Sequence, residues 1–361
     1  MEQQRYRWIR KAALTGALTL PVMVAGCGWF SPSDSKAVDP PQGETGSAIT
    51  GADGQTSAAA TGSAEVSAQG EASGLTVYLK DAEGYLAPVT IQAKLDSKLT
   101  AEAQALELLV DGGAYSKLLP EGFSGVLPQG TQVLNVQVNE KTKLATVEFS
   151  KQFSDYNEQD ERTMLEAITY TLTGLDGIQG VELWEEGERL QEMPVGQYPL
   201  DRALTRAIGI NLEADSGVDY SLSTPVTLYF SSKTELGDPY FVPVTRLVPR
   251  TTDKLTAALD QLTEGPLEES RLLPVWLQDV SVDKITQNKD TITLDLKDEA
   301  YKKGDVAPAE MMRAVVLSLT DNAGVDQVQI KLNGASDFKD ELDTSYTEPV
   351  SRPEQLNAFK S

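Results

Sequence analysis

The chain has 361 residues, more than one ordinary core organises, and its 40% hydrophobic and 24% charged content is globular usage that excludes disorder along the whole length. A formal net charge of -23 excludes a partner held through phosphates, and it equally excludes attachment to anionic lipid by surface charge. Histidine is absent and cysteine occurs once, so the commonest proton-transfer group, an internal disulfide and a cysteine-rich zinc site are all unavailable.

The N-terminus begins with a basic head of Arg5, Arg7, Arg10 and Lys11, followed by an apolar stretch from Ala12 to Ala25. That order predicts a secretory signal over residues 1–26. The stretch is shorter than the roughly 20 residues that a permanent membrane helix requires, so cleavage is expected. Val24-Ala25-Gly26-Cys27 resembles a bacterial lipobox, in which the cysteine thiol receives a diacylglycerol and a peptidase cuts just before it. Lipidation at Cys27 is therefore expected, and at about 0.8 kcal/mol per buried methylene, two or more acyl chains would anchor an acidic body without help from charge. Residues 27–73 are dominated by Gly, Ala, Ser, Thr, Asp and Gln, a composition too poor in apolar bulk to fold. They are expected to be a disordered tether with an r.m.s. span on the order of 35 to 40 Å.

Beyond the tether the chain repeats itself. Leu75-Thr76-Val77-Tyr78-Leu79 returns as Val226-Thr227-Leu228-Tyr229-Phe230, and Ala87-Pro88-Val89-Thr90 as Val242-Pro243-Val244-Thr245. Leu118-Leu119-Pro120 is matched to Leu272-Leu273-Pro274, and Met164 to Ile168 returns as Met311 to Val315, each roughly 150 residues later. In each copy the two leading strands are followed by an amphipathic helix. Leu99, Ala103, Leu106 and Val110 carry its apolar face in the first copy, and Leu255, Ala258, Leu259 and Leu262 in the second, with stops near Gly112 and Gly265. Alternation through Leu134, Val136 and Val138, then Ala145, Val147 and Phe149, predicts a hairpin turning at Asn139 to Thr142. Its counterpart runs through Val280, Val282 and Ile285 into Ile292, Leu294 and Leu296, with a bulge-like slip between Val282 and Ile285. A second helix carries Leu165, Ile168 and Leu172, matched by Met312, Val315 and Leu319 after Pro308, and a strand at Val181 to Leu183 or Val328 to Ile330 closes each copy.

The expected fold is α+β: two tandem homologous small domains, each a mainly antiparallel sheet with two helices on one face. Domain boundaries are placed at 74–196 and 224–345, with a connector at 197–223 holding a possible helix from Leu200 to Ile210, and a tail at 346–361. This order of elements, with the duplicated Tyr78 and Tyr229 strands, the Leu-Leu-Pro segments, the paired Met-containing helices and the N-terminal cysteine, resembles the GerM family of spore-forming bacteria between about Leu75 and Gly334. The resemblance implies tandem germination and sporulation domains similar to the ring-building domains of secretion machines. It further implies a lipoprotein on the outer forespore membrane, facing the intermembrane space, that supports a ring-forming channel between mother cell and forespore.

Candidate chemistry is sparse, and no catalytic, cofactor-binding or metal-binding residue is assigned. Glu185 with Glu186 and Glu268 with Glu269 are read as a solvated acidic face rather than an acid-base pair. The carboxylates at Asp81 to Gly84 and Asp321 to Gly324 lack EF-hand spacing, and the glycines from Gly122 to Gly130 lack the Lys-Ser/Thr ending of a phosphate loop. Trp184, Trp276, Phe123 and Tyr240 are core residues by default and partner anchors otherwise. The expected partners are a membrane, reached through the N-terminal lipid, and proteins of a sporulation channel or envelope complex. No cofactor, nucleic acid or small-molecule ligand is expected. Two alternatives stay open, a solute-binding lipoprotein and a cell-wall-associated envelope protein or enzyme.

Overall fold

Two strands open the first copy, β1 (Leu75–Lys80) and β2 (Leu86–Ile91), paired antiparallel with Tyr78 opposite Pro88. The turn between them is closed by Asp81, whose Oδ1 accepts from the amides of Glu83 and Tyr85 at 2.9 and 2.8 Å, and by Gly84 at positive φ. This computed structural model describes residues 74–92, 98–214 and 217–359, all of which fall within one compact unit, Ser67–Ser361. The signal, the lipobox and the tether lie outside the described residues.

Helix α1 (Ala101–Leu108) starts at Thr100, whose side chain accepts from the Ala103 amide, and buries Ala105, Leu106 and Leu108. It is shorter than the sequence spacing predicts. Leu99 precedes it on the surface, and Val110 has already left it to bridge Leu127, so Gly112 lies beyond the helix end. Strands β3 (Val133–Asn139) and β4 (Leu144–Phe149) form the expected hairpin, with Asn139 Oδ1 gathering the turn amides of Lys141 and Thr142. A bulge after Val133 leaves Leu134 exposed. Helix α2 (Glu161–Leu172) then crosses over to β5 (Gly180–Glu185), which pairs parallel with β4, and β6 (Glu188–Arg189) completes a four-stranded sheet ordered β3-β4-β5-β6. A parallel pair demands such a crossover connection.

The second copy follows β7 (Glu213–Ala214) with the same plan: β8 (Ser223–Lys233), β9 (Pro239–Pro249), α3 (Lys254–Glu264), β10 (Val280–Asn288), β11 (Thr291–Asp298), α4 (Ala309–Ala323), β12 (Gln327–Leu332) and β13 (Val350–Ser351). Gly265 and Gly324, both at positive φ, end α3 and α4. The bulge predicted in β10 lies between Val282 and Lys284, the place corresponding to that in β3. In both copies the strands divide between a leading hairpin and a four-stranded sheet. The second helix touches both, and α2 and α4 are consequently buried through nearly all of their length. Hydroxyls on these helices cap the hairpins at equivalent positions: Tyr78 N donates to Thr171 Oγ1 at 2.9 Å and Tyr229 N to Ser318 Oγ at 3.0 Å.

The structure changes one sequence match. Ser231 in β8 bridges Leu273, and its counterpart Lys80 bridges Ser124, so Leu273 corresponds to Ser124 rather than to Leu119. The Leu-Leu-Pro identity is a local coincidence out of register with the fold. In place of the helix expected from Leu200 to Ile210, the connector has a 3-10 turn, Arg206–Ile208.

Candidate functional site at the seam between the copies

The edges of β2 and β9 face one another, and a proline sits at the same place in each. Pro88 and Pro243 have no amide hydrogen to give, so a direct ladder across the seam cannot form. Two asparagine side chains replace it. Asn211 takes a bond from the Leu86 amide at 2.9 Å and donates through Nδ2 to Leu86 O at 2.8 Å and Pro243 O at 2.7 Å. Asn357 takes a bond from the Phe241 amide at 2.8 Å and donates to Phe241 O at 2.8 Å and Pro88 O at 2.7 Å. Leu86 and Phe241 are equivalent residues, as are the two prolines, so the two sets of bonds are one arrangement repeated about a local two-fold axis.

The residue before each asparagine crosses to the other copy. Thr245 of the second copy donates its amide to Ile210 O at 2.8 Å, and Ile210 N donates to Thr245 Oγ1 at 3.0 Å. Thr90 of the first copy donates to Leu356 O at 3.0 Å, and Leu356 N donates to Thr90 Oγ1 at 2.9 Å. Both asparagines have φ near +50°, at 46° and 49°, where asparagine is tolerated better than other side-chain-bearing residues. Four residues before each Ile or Leu stands an arginine fixed to the second helix of its own copy. Arg206 reaches Thr173 Oγ1 at 3.0 Å and Tyr170 O at 3.4 Å, and Arg352 reaches Thr320 Oγ1 at 3.2 Å and Leu317 O at 3.3 Å. Each copy thus ends in a staple, Arg-x-x-x-(Ile/Leu)-Asn, that holds its own helix and hairpin and also grips the other copy.

The electrostatic support of the two staples differs. Asp321 accepts from Arg352 at 2.8 Å and from the Tyr229 hydroxyl at 2.7 Å, while Arg206 stands 3.7 Å away; its counterpart in the first copy is Gly174. Arg352 also donates to the Tyr229 hydroxyl at 2.7 Å, and the neighbouring Tyr229 and Asp321 hold its charge more firmly than usual. The first staple is supported instead by Arg162, which donates to Ile208 O, and by Glu166, which accepts from the Asn211 amide at 2.9 Å. Burial raises the Glu166 carboxyl above the usual range despite the Arg162 guanidinium 2.6 Å away. Glu213 in β7 pairs with buried Arg246 of β9 at 2.6 Å, which ties the connector to the second copy.

Several residues singled out from sequence meet at this seam. Tyr240 donates to Asp81 Oδ2 at 2.8 Å, and its ring lies edge-on to Phe123 at 5.1 Å, with Phe359 completing the cluster. Asp81 is thus spent on a turn and a tyrosine, with its carboxyl raised by burial. Asp321 is spent on an arginine. Trp276 is buried with its indole N–H on Val280 O, and Trp184 is half-buried. Glu185 and Glu186 accept from Ser154 Oγ and the Lys151 amide, whereas Glu268 and Glu269 are exposed on a loop of the second copy. Among the described residues no three acidic side chains come together as a metal site, and no helix is long and apolar enough to cross a membrane. Val24, Ala25, Gly26 and Cys27 lie outside the described residues. Apolar periodicity does not mark the staples; their signal in the sequence is the repeat itself, continued past the last strand of each copy to Arg206 and Arg352.

Comparison with known proteins agrees with this duplication. The spore germination protein GerM of Bacillus subtilis (strain 168) is 37% identical in an alignment covering 96% of this chain and 97% of that protein. The solved tandem GerMN domains of the sporulation protein GerM from Bacillus subtilis superpose with a TM-score of 0.73 at 36% identity, covering 79% of this chain and 99% of that structure. The family model Germane, described as sporulation and spore germination, matches residues 76–191 and again 227–337. The chain belongs to this sporulation and spore germination family, as a homologue of GerM with the GerMN domain in tandem.

Proposed function

We propose that this chain is a lipoprotein anchored through Cys27 on the extracytoplasmic face of the membrane, acting in sporulation and germination as an assembly factor for a ring-forming channel complex between mother cell and forespore. The likeness to a spore germination protein across almost the whole of both chains carries this reading. The seam supports a binding role, because the polar side chains gathered there are engaged with backbone and with one another, and the stapled copies offer partners one continuous body. An acyl anchor at the end of a tether raises the effective concentration of that body at the membrane. The lipobox residues Val24, Ala25 and Gly26 would set the cut before Cys27.

Mass spectrometry of the mature N-terminus tests the anchor: an acylated Cys27 is expected, with Cys27→Ser releasing the chain from the membrane fraction. Photoreactive groups placed on each copy in sporulating cells test the partner. Cross-links to a ring or channel component are expected; recovery of only abundant membrane lipoproteins would contradict the assembly role.

A further inference from the structure

We propose that the trailing staple, Arg352 to Phe359, is a docking peptide whose groove also accepts the same segment from a second copy of this chain, so that neighbouring chains join by exchanging it. The groove is built from both copies. It comprises Leu317, Thr320 and Asp321 on α4, Tyr229 on β8, Phe241 on β9, and Pro88 and Thr90 on β2. Every polar group of the staple that meets it does so through hydrogen bonds to backbone or side chains, and Phe359 packs 5.2 Å from Phe123. None of these bonds depends on the segment belonging to the same chain.

The two staples differ in their freedom to leave. The leading one runs directly into β7, which is paired with β9, so it is held on both sides. Among the described residues no helix or strand follows Ser351, and the backbone bonds lost on releasing residues 352–359 are those from Arg352 N to Asp326 O, at the end of the β12 and β13 pairing, and from Thr90 N to Leu356 O. Such a segment can open while the body that holds it stays folded. An open cleft of about 490 Å³ lies beside the segment, lined in part by Ser231, Ala309 and Leu317, and gives water access to it. The tethered segment competes at an effective concentration on the order of millimolar, so exchange in dilute solution is rare and rises where chains are crowded.

The test uses a synthetic peptide of residues 350–361 and the full chain. The Leu356→Ala/Asn357→Ala chain, its own segment weakened, is expected to bind the peptide, whereas the unmodified chain binds at least tenfold less. A peptide carrying Asn357→Ala should bind the variant chain at least tenfold more weakly than the unmodified peptide. A variant chain that retains its fold and ignores the peptide would overturn the proposal. Should that variant fail to fold, hydrogen exchange on the unmodified chain decides. The amides of Thr90, Phe241 and Leu356 are then expected to exchange together and faster than those of Leu294 and Ile330. Exchange of all five at the slowest rate would overturn it.

Discussion

The two staples make the same contacts with backbone and different contacts with charge. Asn211 and Asn357 repeat their three bonds within 0.1 Å of each other, at the same positive φ, because proline on each facing edge leaves carbonyls that only an inserted donor can satisfy. The arginines that precede them share helix partners, yet Asp321 serves chiefly Arg352, and Gly174 stands where the first copy would need its own carboxylate. Geometry imposed by the backbone has been kept in both copies, while the ion pairs around it have diverged.

The largest effect should come from removing the charge on the better-supported side. Arg352→Ala takes the nearer cation from the largely buried Asp321, leaving it the Tyr229 hydroxyl and the more distant Arg206, and a loss of about 3 kcal/mol is expected from urea unfolding. Arg206→Ala, whose carboxylate is 3.7 Å away and whose side chain is more open, should cost about 1 kcal/mol or less. Equal losses would remove the asymmetry. The asparagines should behave alike: Asn211→Ala and Asn357→Ala each leave carbonyls unsatisfied at the seam and should each cost about 2 kcal/mol in the same assay.

The smallest effect concerns pH. Glu166 has its carboxyl raised by burial, so the folded chain holds that proton more tightly than the unfolded chain. Its contribution is therefore fully present below the ordinary carboxylate value and is lost as pH rises through the raised value. Glu166→Gln keeps an acceptor for the Asn211 amide but does not titrate there. The advantage of the unmodified chain over this variant should be greater at acidic pH than at neutral pH; the opposite trend in urea midpoints would show that the Arg162 attraction outweighs burial.

Strands and helices with a regular apolar period were legible in the sequence. The bulge in β10 was visible because Val282 and Ile285 break a two-residue alternation, and α4 was visible from Pro308 onward. The end of α1 was misread because Val110 keeps the apolar spacing while serving as a bridge to Leu127. The staples escaped notice because Arg-Ala-Ile-Gly-Ile-Asn and Arg-Pro-Glu-Gln-Leu-Asn share only their first and last residues and an aliphatic neighbour. Irregular segments that bond through two separated side chains have no period to detect. The Leu-Leu-Pro identity misleads for the opposite reason: three identical residues stand out in the sequence, although the bridges of Lys80 and Ser231 place them out of register.

Reciprocal stapling implies that neither copy melts alone, and differential scanning calorimetry of the full chain tests this most directly. One transition with equal calorimetric and van't Hoff enthalpies is the expected result, splitting into two when Asn211→Ala and Asn357→Ala are combined. Two separate transitions in the unmodified chain would contradict the account.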